Sequence, residues 1–225
     1  MNIKPILFNT SMVKAILKGR KTQTRRVVKN NNSLYGSKFS ELDFNDAFVD
    51  GLNDKYLKVK HPIDNTRQRV FSKIETGDIL WVREGFRYVH HYGFQDKFVQ
   101  YRNMGTNAHC NIPDADQIIP DESGWKPSIH MPKEACRIFL EVTNVRVERL
   151  NDISEQDAID EGIKVIEPEE AYYDYDGGAC GAYATAKGSF FSLWNSINGK
   201  DSWEDNPWVW VYDFNRTERP AGFLE

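Results

Sequence analysis

The chain has 225 residues, of which 40% are hydrophobic, 13% aromatic and 28% charged. This composition excludes an intrinsically disordered chain, which would hold few aromatic residues, and no apolar run approaches the roughly 18 residues that cross a bilayer. The 29 basic and 33 acidic residues give a net charge of −4. Attraction to nucleic acid would therefore have to come from a local patch.

Cysteine use and the first residues bear on the compartment. The three cysteines, at positions 110, 136 and 180, are few, odd in number and far apart, a pattern typical of reduced thiols. The N-terminal residues lack the apolar stretch and cleavage site of a signal peptide. We expect a cytoplasmic protein without a membrane partner. Because the histidines and cysteines match no familiar ligand spacing, we predict no metal and no cofactor.

The N-terminal third begins with regular elements and then becomes polar. Residues 6–8 favour a short strand, and residues 9–11 offer a cap for a helix that Gly19 ends. β-Branched residues predict a strand over 21–28. The following stretch, 29–70, is polar with scattered aromatics, and we interpret it as an insertion outside the core.

The middle of the chain returns to strand character. A turn at Thr76–Asp78 precedes the apolar run 79–82, which is suited to a buried strand. Residues 89–125 have the glycines and prolines of a loop. Over 137–148 the apolar positions alternate and then shift phase after Val142, which predicts a β-bulge or a bend.

The last third holds two predicted helices and a strand. Ser154 and Asp157 form a capping-box pattern for a helix that Gly162 ends. An acidic, Tyr- and Gly-rich stretch follows and is interpreted as a loop. Apolar residues at helical spacing predict a helix over 189–197, and 208–214 predicts a closing strand.

Strands outnumber helices, so we predict a single α+β domain over 1–225. Its expected architecture is a small β-barrel with two or three short helices and long loop insertions, and no Rossmann or Walker motif is present. The expected core segments are about 3–28, 71–88, 126–165 and 186–215, and the insertions are about 29–70, 89–125 and 166–185.

The densest chemical feature is a basic run. Residues 14–29 include seven basic side chains and no acidic one. In an acidic protein, such a concentration of cations favours contact with a phosphate or another anion. The alternative is a solvated charge run beside the C-terminus of a helix, where the helix dipole favours cations.

Three segments together resemble a known family. Residues 19–26 read Gly-Arg-Lys-Thr-Gln-Thr-Arg-Arg, residues 77–82 read Gly-Asp-Ile-Leu-Trp-Val, and residues 153–162 read Ile-Ser-Glu-Gln-Asp-Ala-Ile-Asp-Glu-Gly. They are similar to the ASCH domain of the PUA-like superfamily. The stretches 125–132 and 206–211 resemble, more narrowly, the larger ASCH-type proteins of bacteriophages and prophages. The resemblance covers about half of the chain, and it implies the cytoplasm of a bacterial host.

The resemblance implies a PUA-like β-barrel whose basic cleft binds RNA, a nucleotide or a modified nucleoside. Arg20, Arg25 and Arg26 would contribute cations to that cleft. Arg83 and Glu84 follow the apolar run 79–82 and form either an ion pair in the cleft or a surface pair. His130 lines the cleft or belongs to the core.

A distant resemblance to small bacterial acetylcytidine amidohydrolases implies a catalytic set. By motif position, Thr24 would attack an amide carbonyl, Lys21 would accept its proton, and Glu161 would orient the lysine or pass a proton to the leaving amine. In a regular strand, Lys21 and Thr24 would face opposite sides, so the site requires irregular backbone after Gly19 or a curled lysine. Otherwise Thr24 is an ordinary strand threonine and Glu161 a helix-end carboxylate.

Three functions follow from these patterns. The first is a protein that binds RNA, a nucleotide or a modified nucleoside, with affinity that falls with salt. The second is an amidohydrolase of an acylated cytidine-type nucleoside, which needs both Lys21 and Thr24. The third is a non-enzymatic interaction protein of phage development, which tolerates Lys21→Ala and depends on its insertions.

Overall fold

The computed structural model describes residues 1–28, 43–50, 53–60, 67–91, 97–102, 118–166, 171–175 and 182–225. Three α-helices lie in these residues: α1 (Thr10–Leu17), α2 (Glu155–Asp160) and α3 (Ala186–Asn198). The strands are β1 (Ile3–Leu7), β2 (Gln23–Val27), β3 (Asp43–Asp50), β4 (Asn53–Lys60), β5 (Arg67–Phe71), β6 (Ile79–Arg83), β7 (Phe86–His91), β8 (Lys97–Tyr101), β9 (Ile118–Pro120), β10 (Phe139–Arg149), β11 (Val165–Ile166), β12 (Ala171–Tyr173), β13 (Ala182–Tyr183) and β14 (Trp208–Thr217). The predicted α+β class is confirmed.

The chain divides into two compact units. The first contains residues 1–19, 77–141 and 215–225, and the second contains residues 20–76 and 142–214. The single domain over 1–225 stays a prediction. The described strands form several sheets whose pairings do not close into a barrel, and no helix in the described ranges is long and apolar enough to cross a membrane.

The first unit is built on parallel and antiparallel strand pairs. β1 pairs in parallel with β6, and β6 pairs antiparallel with the start of β10, so that Trp81 lies opposite Phe139. β7 pairs antiparallel with both β8 and β9. The core of this unit includes Cys136, which is buried and free. This agrees with the expected reduced thiol, whereas Cys110 and Cys180 lie outside the described residues.

The second unit carries the strand that follows the basic run. β2 pairs antiparallel with β14, with Arg25 opposite Val211 and Thr24 opposite Tyr212. Helix α3 packs its buried Phe190, Leu193 and Trp194 in a cluster with apolar residues of β14 and α2. Two three-stranded sheets, β3-β4-β5 and β11-β12-β13, complete the unit.

Local signals placed the helices correctly. Asn9 caps α1 by accepting from the backbone N–H of Met12 at 2.9 Å, and Gly19 follows with φ +71°. The capping box of α2 is present, and Gly162 has φ +91°. Helix α3 begins at Ala186, three residues before the predicted start, because Thr185 supplies its N-cap.

The prediction of loops in the three insertions is wrong for the described residues. The first contains the sheet β3-β4-β5, the second contains β8 and β9, and the third contains β12 and β13. In β4, only Leu57 and Val59 are buried apolar side chains. These strands are too polar to stand out in the sequence, because distant backbone partners, rather than apolar side chains, satisfy most of their needs.

Candidate functional site

The backbone brings two segments of the resemblance together within the second unit. Lys21 and Glu161 form an isolated antiparallel bridge, and the N–H of Thr22 donates to the carbonyl of Asp160 at 2.8 Å. Glu161 is the C-cap of α2, and the positive φ of Gly162 turns the chain directly after it. The end of a short helix therefore delivers a carboxylate to the start of the basic strand.

Lys21 and Glu161 form a buried ion pair. The Nζ of Lys21 donates to Oε2 of Glu161 at 2.5 Å and to its carbonyl oxygen at 2.9 Å. The two side chains are 0% and 3% exposed. Burial lowers the pKa of Lys21, and the positive charges of Arg26 and Arg25 act in the same direction, while Glu161 opposes them. Desolvation thus moves this amine toward the neutral form, in which it can accept a proton.

Arg25 holds the other oxygen of the same carboxylate. Its Nη1 lies 3.3 Å from Oε1 of Glu161, and its Nη2 lies 2.7 Å from Oε1 of Glu148. Nη1 also donates to Oε1 of Gln23 at 2.5 Å, and the guanidinium lies 3.6 Å from Asp157. Because the side chain is fully buried, Arg25 orients carboxylates inside the unit rather than presenting its charge to solvent.

The pair is part of a wider network that the sequence analysis did not anticipate. Arg146 contacts Glu148 at 3.1 Å, Asp157 at 2.8 Å and Asp213 at 3.1 Å. Gln23 donates to both Asp157 and Asp213. Four cations and four carboxylates balance in this cluster: Lys21, Arg25, Arg26 and Arg146 with Glu148, Asp157, Glu161 and Asp213.

Thr24 lies on β2 between two residues of this network. Its side chain is buried, and strand alternation places it on the opposite face from Gln23 and Arg25. On that face it is paired in register with Tyr212. Arg26 shares the face and is half-buried; burial lowers its pKa, whereas Glu161 and Tyr212 raise it. Arg26 thus relates Glu161 electrostatically to the face of Thr24.

Arg20 is exposed, and its Nη1 donates to the carbonyls of Gly162 and Ile163 at 3.0 and 3.2 Å. These contacts fasten the chain after α2 to the segment that carries Lys21. Of the predicted binding cations in the second unit, Arg20 is the exposed one, Arg26 is half-buried and Arg25 is buried. The predicted phosphate contact therefore depends on Arg20 and Arg26.

The remaining predicted residues belong to the first unit. Arg137 holds Glu84 through two hydrogen bonds of 2.8 and 3.0 Å, and burial raises the pKa of Glu84 although Arg137 opposes this. The Arg83 guanidinium donates to the carbonyl of Ile129 and stacks on Trp81. His130 is exposed at the end of a single 3₁₀ turn. The structure thus brings together Lys21, Arg25 and Glu161, with these three residues in the other unit.

Part of the missed network was readable. Arg146 and Glu148 are two apart on β10, a spacing that puts both on one face of a strand. Their meeting with Asp157 and Asp213 depends on the register of β14, which no local pattern contains. In the described part of the chain, no group of three His, Cys, Asp or Glu side chains is arranged to hold a metal ion. Comparison with family models, curated proteins and solved structures gives no significant match.

Proposed function

We propose that this protein is an amidohydrolase that acts on an acylated cytidine-type nucleoside. The observation that carries the proposal is the buried hydrogen bond between Lys21 and Glu161, two residues 140 positions apart that the resemblance pairs independently. A phosphate-binding surface would leave Lys21 exposed and charged. A buried lysine with a lowered pKa instead suits a general base. The PUA-like barrel fold implied by the resemblance is part of this proposal.

The proposed reaction passes through an acyl-threonine ester. The Oγ1 of Thr24 attacks the carbonyl carbon of the exocyclic amide while Nζ of Lys21 accepts the hydroxyl proton. The carbonyl carbon–nitrogen bond then breaks, and the cytosine amino group leaves with a proton relayed from Lys21 through Glu161. Water hydrolyses the ester, which releases the carboxylic acid and restores Thr24.

The decisive assay follows the conversion of N4-acetylcytidine to cytidine and acetate. We expect turnover by the parent protein and a loss of about 10²- to 10⁴-fold in Thr24→Val and in Lys21→Met, the range of a missing acid–base group. The parent rate should rise with pH through the pKa of Lys21, because only the neutral amine accepts the proton. Ser196→Ala, which removes a hydroxyl bonded within α3, is the matched control.

Two results would contradict the enzyme. One is a parent without turnover above that of Thr24→Val. The other is turnover that survives Thr24→Val in a folded protein, which would assign the nucleophile elsewhere. Circular dichroism of each variant separates loss of chemistry from loss of fold.

Binding of RNA without turnover is the second candidate, and a surface of the first unit favours it. The guanidinium groups of Arg87 and Arg102 lie 4.7 and 5.3 Å from the ring centroid of Trp125. Beside them along the chain, Nζ of Lys126 lies 5.0 Å from the ring of Tyr88. Cations interleaved with aromatic rings are what single-stranded nucleic acid uses, through phosphate contacts and base stacking.

A further inference from the structure

A cavity of about 440 Å³ opens in the second unit beside the β4–β5 hairpin. Its lining includes Tyr56, Arg69, Phe71, Ser72, Glu75 and Val145. The size is that of a small-molecule pocket, which in proteins spans roughly 300–1,000 Å³. We call it the hairpin cavity. Most of its lining comes from residues that the ASCH resemblance does not cover.

Aromatic rings and a cation form one wall of the hairpin cavity. Tyr56 and Phe71 are register partners across β4 and β5, and their ring centroids are 5.6 Å apart. The guanidinium of Arg69 lies 5.0 Å from the ring of Tyr56. The Phe71 side chain is 48% exposed. A large ring left this exposed in a cavity is available to stack on a planar ligand.

A hydrogen bond relates this cavity to the strand of the proposed nucleophile. The hydroxyls of Ser72 and Tyr212 are 2.9 Å apart. Tyr212 is the register partner of Thr24, and its charge interaction with Arg26 is felt at both groups. The cavity wall is therefore one side chain away from the face of β2 that carries Thr24.

We propose that the hairpin cavity binds the base of a pyrimidine nucleoside or nucleotide. The base stacks on Phe71 and Tyr56, and Arg69 provides donors for a 5′-phosphate where one is present. Ser72 and Glu75 offer hydrogen-bonding groups of the kind that read the polar edge of a base. The choice of a nucleoside rests on the proposed function, and the cavity adds where its base is held.

The test is equilibrium binding of cytidine and of cytidine 5′-monophosphate, measured by calorimetry. Phe71→Leu keeps an apolar side chain and removes the ring. We expect it to weaken both ligands by roughly 5- to 150-fold, the equivalent of one base–aromatic stack. Arg69→Gln should weaken the monophosphate more than cytidine. Tyr173→Leu, which removes a 41% exposed ring from another tyrosine pair, is the matched control and should bind like the parent.

The outcomes separate this inference from the proposed function. Equal binding by the parent and Phe71→Leu, or no binding by the parent, overturns the cavity assignment even if hydrolysis occurs. Binding that depends on Phe71 in a protein without turnover supports the cavity and contradicts the hydrolase. Where both hold, Phe71→Leu raises KM with kcat nearly unchanged, and Thr24→Val loses kcat but keeps cytidine binding.

Discussion

At the scale of single residues, the buried charges divide into unequal partners. Glu161 binds two cations through different oxygens, whereas Lys21 has its printed ion pair with this one carboxylate. Taking charges out of water costs several kcal/mol per ion, and the cost is recovered only while the partner and its hydrogen bonds remain. Removal of the shared carboxylate should therefore be more damaging than removal of the lysine.

The corresponding measurement is urea unfolding of Glu161→Leu and Lys21→Met. We expect Glu161→Leu to lower the free energy of unfolding by about 3–5 kcal/mol, the range for breaking a buried pair. Lys21→Met should cost less, because Arg25 still compensates Glu161. The double variant should recover part of the loss of Glu161→Leu. Equal losses in the two single variants would show that Arg25 does not share the carboxylate.

At the scale of elements, α2 depends on groups outside its own hydrogen-bond ladder. It has six residues, too few for an isolated helix to be stable. Asp157 accepts from the backbone and hydroxyl of Ser154 and also from Arg146 and Gln23. Glu155 accepts from the first backbone N–H groups of α3. The helix that carries Glu161 is therefore held in place by its capping residues.

Asp157 should make this arrangement sensitive to acid. Although burial alone would raise it, the pKa of Asp157 is lowered by hydrogen bonds from Ser154 and Gln23 and by the charges of Arg146 and Arg25. A carboxyl group with a lowered pKa in the folded state stabilises the protein above its ordinary pKa, and this stability is lost as pH falls through the folded value. The loss is expected below about pH 4.

Asp157→Asn checks this expectation. At pH 7 it should lower the free energy of unfolding by about 1–3 kcal/mol, the worth of a hydrogen bond to a charged group. Its decline in stability between pH 5 and pH 3 should be shallower than that of the parent. Asp160→Asn, on the same helix, should change both quantities little. An unchanged acid profile in Asp157→Asn would contradict the assignment.

At the scale of the whole molecule, an acidic chain separates its cations into two settings. One set is compensated inside the second unit by an equal number of carboxylates. The other lies over aromatic rings, as at Trp125 and Tyr88 in the first unit. With a net charge of −4, the molecule has no bulk attraction for nucleic acid. Any RNA affinity must come from the second setting.

Titration of labelled single-stranded RNA at several salt concentrations tests this setting. If the second candidate function holds, affinity falls steeply with salt, and Arg102→Gln lowers the slope of log K against log salt by about 1. Trp125→Leu should weaken binding at all salt concentrations. Arg20→Gln, a cation of the basic run, is the comparison. Binding that depends on Arg20 and not on Arg102 would return the contact to the basic run.

Prediction from sequence succeeded where the cause is local. The three helices follow from caps and glycines within a few residues of their ends, such as Asn9 for α1 and Gly162 after α2. The burial of β10 also changes phase at Thr143 and Asn144, as the apolar pattern indicates. The strands β4 and β5 were missed because their stability depends on pairing with each other rather than on an apolar pattern.

The sequence by itself determined the class of elements, their caps, and the residues that a resemblance could select, including Lys21, Thr24 and Glu161. Tertiary structure alone decided which of these charges reach solvent. Lys21 and Arg25 belong to a basic run in the sequence, yet strand register and the end of α2 surround them with carboxylates. The physical reason is that the burial and pKa of an ionisable group depend on its neighbours in space, and here those neighbours lie more than 120 residues away.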